Sequence, residues 1–247
     1  MEKKSRYNTI DEIRGLAIVS MILFHAAWDL VYMFGADWPW YRSAGAYIWQ
    51  QSICWSFILI SGFCFSLGRR QLLRGLITFG CGLAVTAVTC IFSYDERVIF
   101  GVLTLLGSCT LLMLPLSRLL RSVSPVAGIC LSSALFFLTR NINDHFLGFE
   151  GLNLIRLPDS LYCSPVSTFL GFPEPDFFST DYFSLFPWFF LFAAGYFLFR
   201  CLEKSSIMTA LTPQRIRPLG FIGRHSLIIY MVHQPILYGV FLLLSGI

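Results

Sequence analysis

Seven stretches of this chain carry almost no charge, at roughly 13–34, 44–67, 73–92, 98–117, 123–139, 182–200 and 220–244. A helix needs about 20 mostly apolar residues to cross the hydrocarbon core of a bilayer. Six of the stretches meet or nearly meet that length, and the fifth is the shortest. Charged residues make up only 13% of the chain, against about a quarter in a soluble domain. That is too little charge to solvate the surface of a water-soluble globule of this length. Open strands would leave backbone groups unpaired in lipid, so the spanning elements are helices. The expectation is an all-α, polytopic transmembrane helical bundle of about seven spans, with residues 1–247 forming one domain.

Basic residues set the direction. Fourteen of the 18 Lys and Arg fall on one side if the spans alternate: Lys3, Lys4, Arg6, Arg14, Arg69, Arg70, Arg74, Arg118, Arg121, Arg200, Lys204, Arg215, Arg217 and Arg224. Arg42, Arg97, Arg140 and Arg156 fall on the other. Positive residues favour the cytoplasm. This places the N-terminus inside and the C-terminus outside, in the cell (cytoplasmic) membrane. The net charge of +4 is explained by this asymmetry, and no nucleic-acid partner is expected. The first apolar run, Gly15 to Ala27, reads as a retained span rather than a cleaved signal. It continues past Asp29 and carries a histidine. None of the eight cysteines forms a CxxC pair, and most sit in apolar runs. Neither a disulfide framework nor a zinc site is expected.

Residues 140–181 form the one long connection, between the fifth and sixth spans and outside. It holds Asp144, Glu150, Asp159, Glu174, Asp176 and Asp181 among four prolines. Such connections are either solvated loops or binding loops, and the residues alone leave both open.

Ionisable residues at mid-membrane are costly and usually mark function. His25 lies eleven residues past Arg14, roughly 16 Å along a helix and near the middle of the core. Asp29 is four residues on and shares its face. A carboxylate there can fix an imidazole's tautomer and stabilise its protonated form, which is what a general base needs. His233, nine residues past Arg224, reaches a similar depth in the last span. Pro235 beside it interrupts the helical ladder and is expected to kink the span. His225 suits a headgroup contact. Arg14 and Arg224 each begin a span that carries a histidine, and both can hold phosphate through charge-assisted hydrogen bonds. Arg69 and Arg70 are explained by the positive-inside bias alone.

At these residues the chain resembles the bacterial branch of the heparan-alpha-glucosaminide N-acetyltransferase catalytic family of transmembrane acyltransferases. Four stretches carry the resemblance. The first is Ile10-Asp11-x-x-Arg14-Gly15-Leu16-Ala17-Ile18, running on to Phe24-His25 and Asp29-Leu30. The second is Ile60-Ser61-Gly62 followed by Phe100-Gly101-Val102-Leu103 and Leu106-Gly107. The third is Asp181-Tyr182-Phe183-x-Leu185-Phe186-Pro187-Trp188, running to Gly195. The fourth is Gly223-Arg224-x-Ser226-Leu227 with Tyr230 and His233-Gln234-Pro235. Their order and spacing over nearly the whole chain make the set specific. Two departures stand out. Thr104 occupies a position where the family usually has histidine. The loop Gly35 to Ser43 also lacks the histidine that the lysosomal enzyme naming the family uses after its first span.

The resemblance implies transfer of an acetyl group from cytoplasmic acetyl-CoA to an extracytoplasmic acceptor, a sugar amine or hydroxyl. With the loop histidine missing, His25 is the candidate base, oriented by Asp29. His233 would polarise the thioester carbonyl or relay the proton, and an acetyl-histidine intermediate remains open. Arg14 and Arg224 would bind the cofactor phosphates, while Asp181 and Trp188 would shape the acceptor site. The partners implied are membrane lipid, acetyl-CoA and a glycan or small-molecule acceptor. Self-association is open, and no metal is expected. The residues alone also admit a carrier of a small solute or protons that uses His25, Asp29 and His233 as a relay.

Overall fold

The structure, a computed structural model, describes residues 6–245. Lys3 and Lys4, counted above among the inside basic residues, lie outside the described residues. The helices are α1 (Asn8–Trp28), α2 (Ala44–Phe65), α3 (Gln71–Phe92), α4 (Val102–Leu120) and α5 (Pro125–Leu138). A hairpin of β1 (Phe146–Phe149) and β2 (Leu152–Arg156) follows, then α6 (Pro165–Leu170) and α7 (Trp188–Leu202). The chain closes with α8 (Ser206–Ala210), α9 (Arg217–Arg224) and α10 (Ser226–Ser245).

Each of the seven expected stretches is largely helical. Five are long and apolar enough to cross a membrane: 8–33, α2, α3, α4 and 226–244. α5 and α7, with 14 and 15 residues, extend only about 21 and 22 Å, short of the ~30 Å core. Two boundaries need correction. The sixth helix begins at Trp188 rather than 182, because Pro187 sits at its N-cap. The seventh does not begin at 220. The chain breaks at His225, whose N–H bonds back to Phe221 and Ile222 and ends α9, and α10 starts afresh at Ser226. α10 then runs as a continuous helix through Pro235.

The chain divides into two compact units, one of residues up to Ile60 with those from Lys204 onward, the other of Ser61–Glu203. In the first, α1 and α9 are locked together at their polar ends. Asp11 accepts from Arg6 at 2.7 Å and Arg14 at 3.3 Å. Buried Glu12 accepts from the backbone N–H groups of Arg215 and Ile216, at 2.6 and 2.7 Å. Those bonds lie beside the start of α9 and satisfy a carboxylate that would otherwise be costly to bury. Gly15 and Gly223 let the two backbones touch. A Cβ on the first would strike the Leu219 carbonyl, and one on the second the Asp11 carbonyl. Ile18, Met21 and Ile53 form the apolar core above, packed by Trp49, Ile222 and Ile229. The Trp49 indole donates to Ser20 at 2.8 Å.

In the second unit α3 packs along α4 and α5 along α7. Small residues at these seams let helices approach without a hydrophobic drive, as lipid requires. Residues 140–181 form an ordered section rather than a bare loop. The β1–β2 hairpin is antiparallel with a bulge at Leu147/Gly148. Asn141 ties its turn by donating to Glu150 O at 2.6 Å, and Ser164 and Ser167 form a capping box on α6. Tyr162 donates to Ile142 O at 2.6 Å. Burial and the Asp144 charge push its hydroxyl up to about 12.

Candidate active site

α1 and α10 pack against each other in the first unit, and their contact brings His25 and His233 together. The ring centroids lie 5.0 Å apart with the planes at 64°. His233 is buried, and its Nδ1 lies 2.6 Å from the carbonyl of Tyr230. A carbonyl can only accept, so Nδ1 carries the hydrogen and Nε2 the basic lone pair. The shared depth read from the two helices is therefore a direct contact between the rings.

Asp29 is fully buried. It sits where α1 gives way to a π-helical turn, Asp29–Met33, closed by Phe34 N–H on Asp29 O. Its carboxylate makes no bond to His25. Oδ1 instead accepts from Gln234 Nε2 of α10 at 2.5 Å. Asp29 Oδ2 and Gln234 Oε1 are both buried with no hydrogen-bond partner among the described residues. Spacing on one helix placed Asp29 beside His25, but only the packing of α10 shows where its carboxylate turns. The one signal for Gln234 was a second polar residue directly after a mid-membrane histidine. Over the site, Tyr41 of the turn Pro39–Arg42 donates to Phe24 O at 3.3 Å. Burial first, then Tyr32 and Asp29, raise its hydroxyl above the ordinary phenol range.

Arg14 and Arg224 lie where α1 meets α9. Arg14 donates to Gly223 O at 3.4 Å as well as to Asp11, so part of its capacity is already used to hold the two helices. Arg224 is exposed and has no ion pair or hydrogen bond among the described residues. Its guanidinium fits the role of phosphate ligand better than that of Arg14.

Asp181 and Trp188 belong to the second unit. The Asp181 carboxylate lies against Gly101 at the N-cap of α4, where the helix dipole favours an anion. Trp188 is buried between Phe136 and Phe183 under the Arg140 guanidinium, 5.1 Å from its ring. The same unit has an open depression of about 490 Å³, lined by Tyr94, Arg97, Tyr162, Glu174, Asp176 and Phe178 among others. A fourth histidine, His145, stands beside it, with Nδ1 3.2 Å from Asp159 Oδ1 and its ring stacked on Tyr162 at 3.6 Å.

Residues 6–235 match the family described as Heparan-alpha-glucosaminide N-acetyltransferase, catalytic. The chain belongs to that family. No curated protein and no solved structure matches it. The heparan-alpha-glucosaminide N-acetyltransferase catalytic family is one of membrane acetyltransferases, which accords with a chain made of apolar helices. The match spans α1 to α10 and includes every residue of the α1–α10 seam described above. Thr104 is 2% exposed at the start of α4, and its hydroxyl has no hydrogen-bond partner among the described residues. It occupies that position as a buried small residue beside Gly82.

Proposed function

We propose that the chain moves an acetyl group from cytoplasmic acetyl-CoA to an amine or hydroxyl acceptor, on a sugar or small molecule, at the extracytoplasmic side of the cytoplasmic membrane. The observation that carries this reading is the contact of His25 with His233. Two imidazoles 5.0 Å apart inside apolar helices are expensive to keep, and a proton-transferring pair is what acyl transfer requires. His25 takes the proton of the acceptor as its nitrogen or oxygen attacks the acetyl carbonyl. The C–S bond then breaks and the CoA thiolate leaves with its electron pair. His233 relays the proton that neutralises it. Arg224, with help from Arg14, holds the phosphates on the cytoplasmic side. α5 and α7 complete seven spans.

The test is CoA release by purified full-length protein, with and without cell-envelope glycan extracts. Acceptor-dependent release supports the reading. Movement of a solute into proteoliposomes with no CoA release would instead favour a carrier. Sidedness is read by an impermeant maleimide on a variant that keeps only Cys163, an exposed thiol in the 140–181 section. Labelling from outside intact cells is expected, and labelling only after lysis overturns the orientation.

A further inference from the structure

Gln234 has no part in the reaction described above, yet among the described residues it makes the only hydrogen bond that the Asp29 carboxylate receives. Asp29 marks a fault in α1, which widens there into a π turn, so its regular ladder stops. α10 runs on without a break, although Pro235, the residue after Gln234, has no N–H to give the preceding turn. The backbone of α1 therefore does not by itself fix how Asp29 is presented. Gln234 is also the immediate neighbour of His233, while Asp29 lies one turn from His25. The Asp29–Gln234 bond therefore ties the two helices together one turn from the histidine contact.

We propose that Gln234 is the positioning residue of this site. Its amide clamps Oδ1 of Asp29 and so sets the spacing of the His25–His233 pair. It also leaves the buried Asp29 Oδ2 without a donor among the described residues, to receive a hydrogen bond from the acceptor. A buried carboxylate oxygen with no donor costs free energy, and an incoming N–H or O–H of the acceptor satisfies it only in the loaded site. This inference rests on the transferase reading for its kinetic consequences, but the clamp itself can be read without turnover.

The experiment uses the full chain in detergent or nanodiscs and compares Gln234→Leu, which removes the amide, with Gln234→Asn, which keeps it on a shorter stem. Gln234→Leu is expected to lower kcat about 10²-fold, the cost of an ångström-scale misplacement, with the KM for acetyl-CoA unchanged and the pH profile of kcat displaced. Gln234→Asn is expected to recover part of the loss. In a double-mutant cycle Asp29→Asn should add little to Gln234→Leu, because coupled residues are not additive. In parallel, ¹⁵N-histidine spectra should show the His25 and His233 resonances moving in Gln234→Leu, while those of His145 and His225 stay. Unmoved His25 and His233 resonances overturn the proposal whether or not the protein turns over. Wild-type kcat with an unshifted pH profile, or losses that simply multiply, also overturn it. Absence of CoA release from the wild-type protein sinks the transferase reading alone, since the spectra still report the clamp. Should Gln234→Leu fail to fold, Gln234→Asn with unmoved resonances and wild-type kcat counts against the clamp, and displaced resonances count for it.

Discussion

Two histidine–aspartate neighbourhoods occur in this chain, and they are built in opposite ways. In the 140–181 section His145 meets Asp159 directly at 3.2 Å, and the Arg156 guanidinium lies 3.5 Å from the same carboxylate oxygen. The Asp159 side chain is 71% exposed, so water solvates whatever the pair does not. An ion pair of this kind contributes about 0–1 kcal/mol. Inside the α1–α10 seam Asp29 is 0% exposed, and its bond goes to an amide while the two imidazoles face each other. An exposed pair can be left to find its own geometry. A buried one must be held, and here the holding is done by Gln234 rather than by the histidine. The same residue types thus form an exposed link in one place and, on the transferase reading proposed above, the reacting pair in the other.

The contrast can be broken most decisively at His25. His25→Asn keeps bulk and hydrogen-bonding capacity but cannot accept a proton at neutral pH. It is expected to fold and bind acetyl-CoA while transfer falls about 10²–10⁴-fold, the usual contribution of a general base. Full activity in the purified variant would remove the seam from the chemistry. Next in size is the cofactor end. Arg224→Ala should weaken acetyl-CoA binding by about 1.5–3 kcal/mol, the worth of a charge-assisted bond, with Arg69→Ala near wild type in a calorimetric titration. Equal and negligible losses at both would return Arg224 to the positive-inside bias. Smaller still is the exposed pair. His145→Gln or Asp159→Asn should change stability by no more than about 1 kcal/mol and leave kcat alone. A loss of kcat comparable to that of His25→Asn would erase the distinction between the two neighbourhoods.

The least effect at ordinary pH comes from Tyr162, under the stacked His145. Its hydroxyl is pushed up to about 12 in the fold and lies near 10 in an unfolded chain. The folded state therefore keeps a proton that the unfolded state has lost. Its stabilising contribution is whole below pH 10 and disappears as pH rises from 10 to 12. Thermal unfolding across that window should drop more steeply in the wild type than in Tyr162→Phe, and parallel curves would count against it.

The apolar helices were legible because lipid imposes a length and a polarity that no other solvent does. α5 and α7, with 14 and 15 residues, meet that requirement least. The break at His225 was hidden. Residues 220–224 read as the start of the last apolar run, yet Gly223 commits that turn to close contact with α1 and the helix ends at Arg224. In the site, depth along a helix was enough to pair His25 with His233. It could not say which way Asp29 turns, because that depends on a side chain 205 residues away and on a local change of helical pitch.

That change of pitch, the wide turn at Asp29–Met33, has the form of a single residue inserted into an α-helix. Each residue of an α-helix accounts for about 100° of rotation. Deleting one residue between Leu30 and Met33 would let the ladder close normally and swing everything beyond it, including the turn that carries Tyr41, by that angle. The stretch from His25 to Tyr41 is thus keyed to an exact residue count, whereas the exposed strand and turns of 140–181 carry no such constraint of helical pitch. Insertions and deletions accumulated by related chains should avoid 25–41 and gather in 140–181.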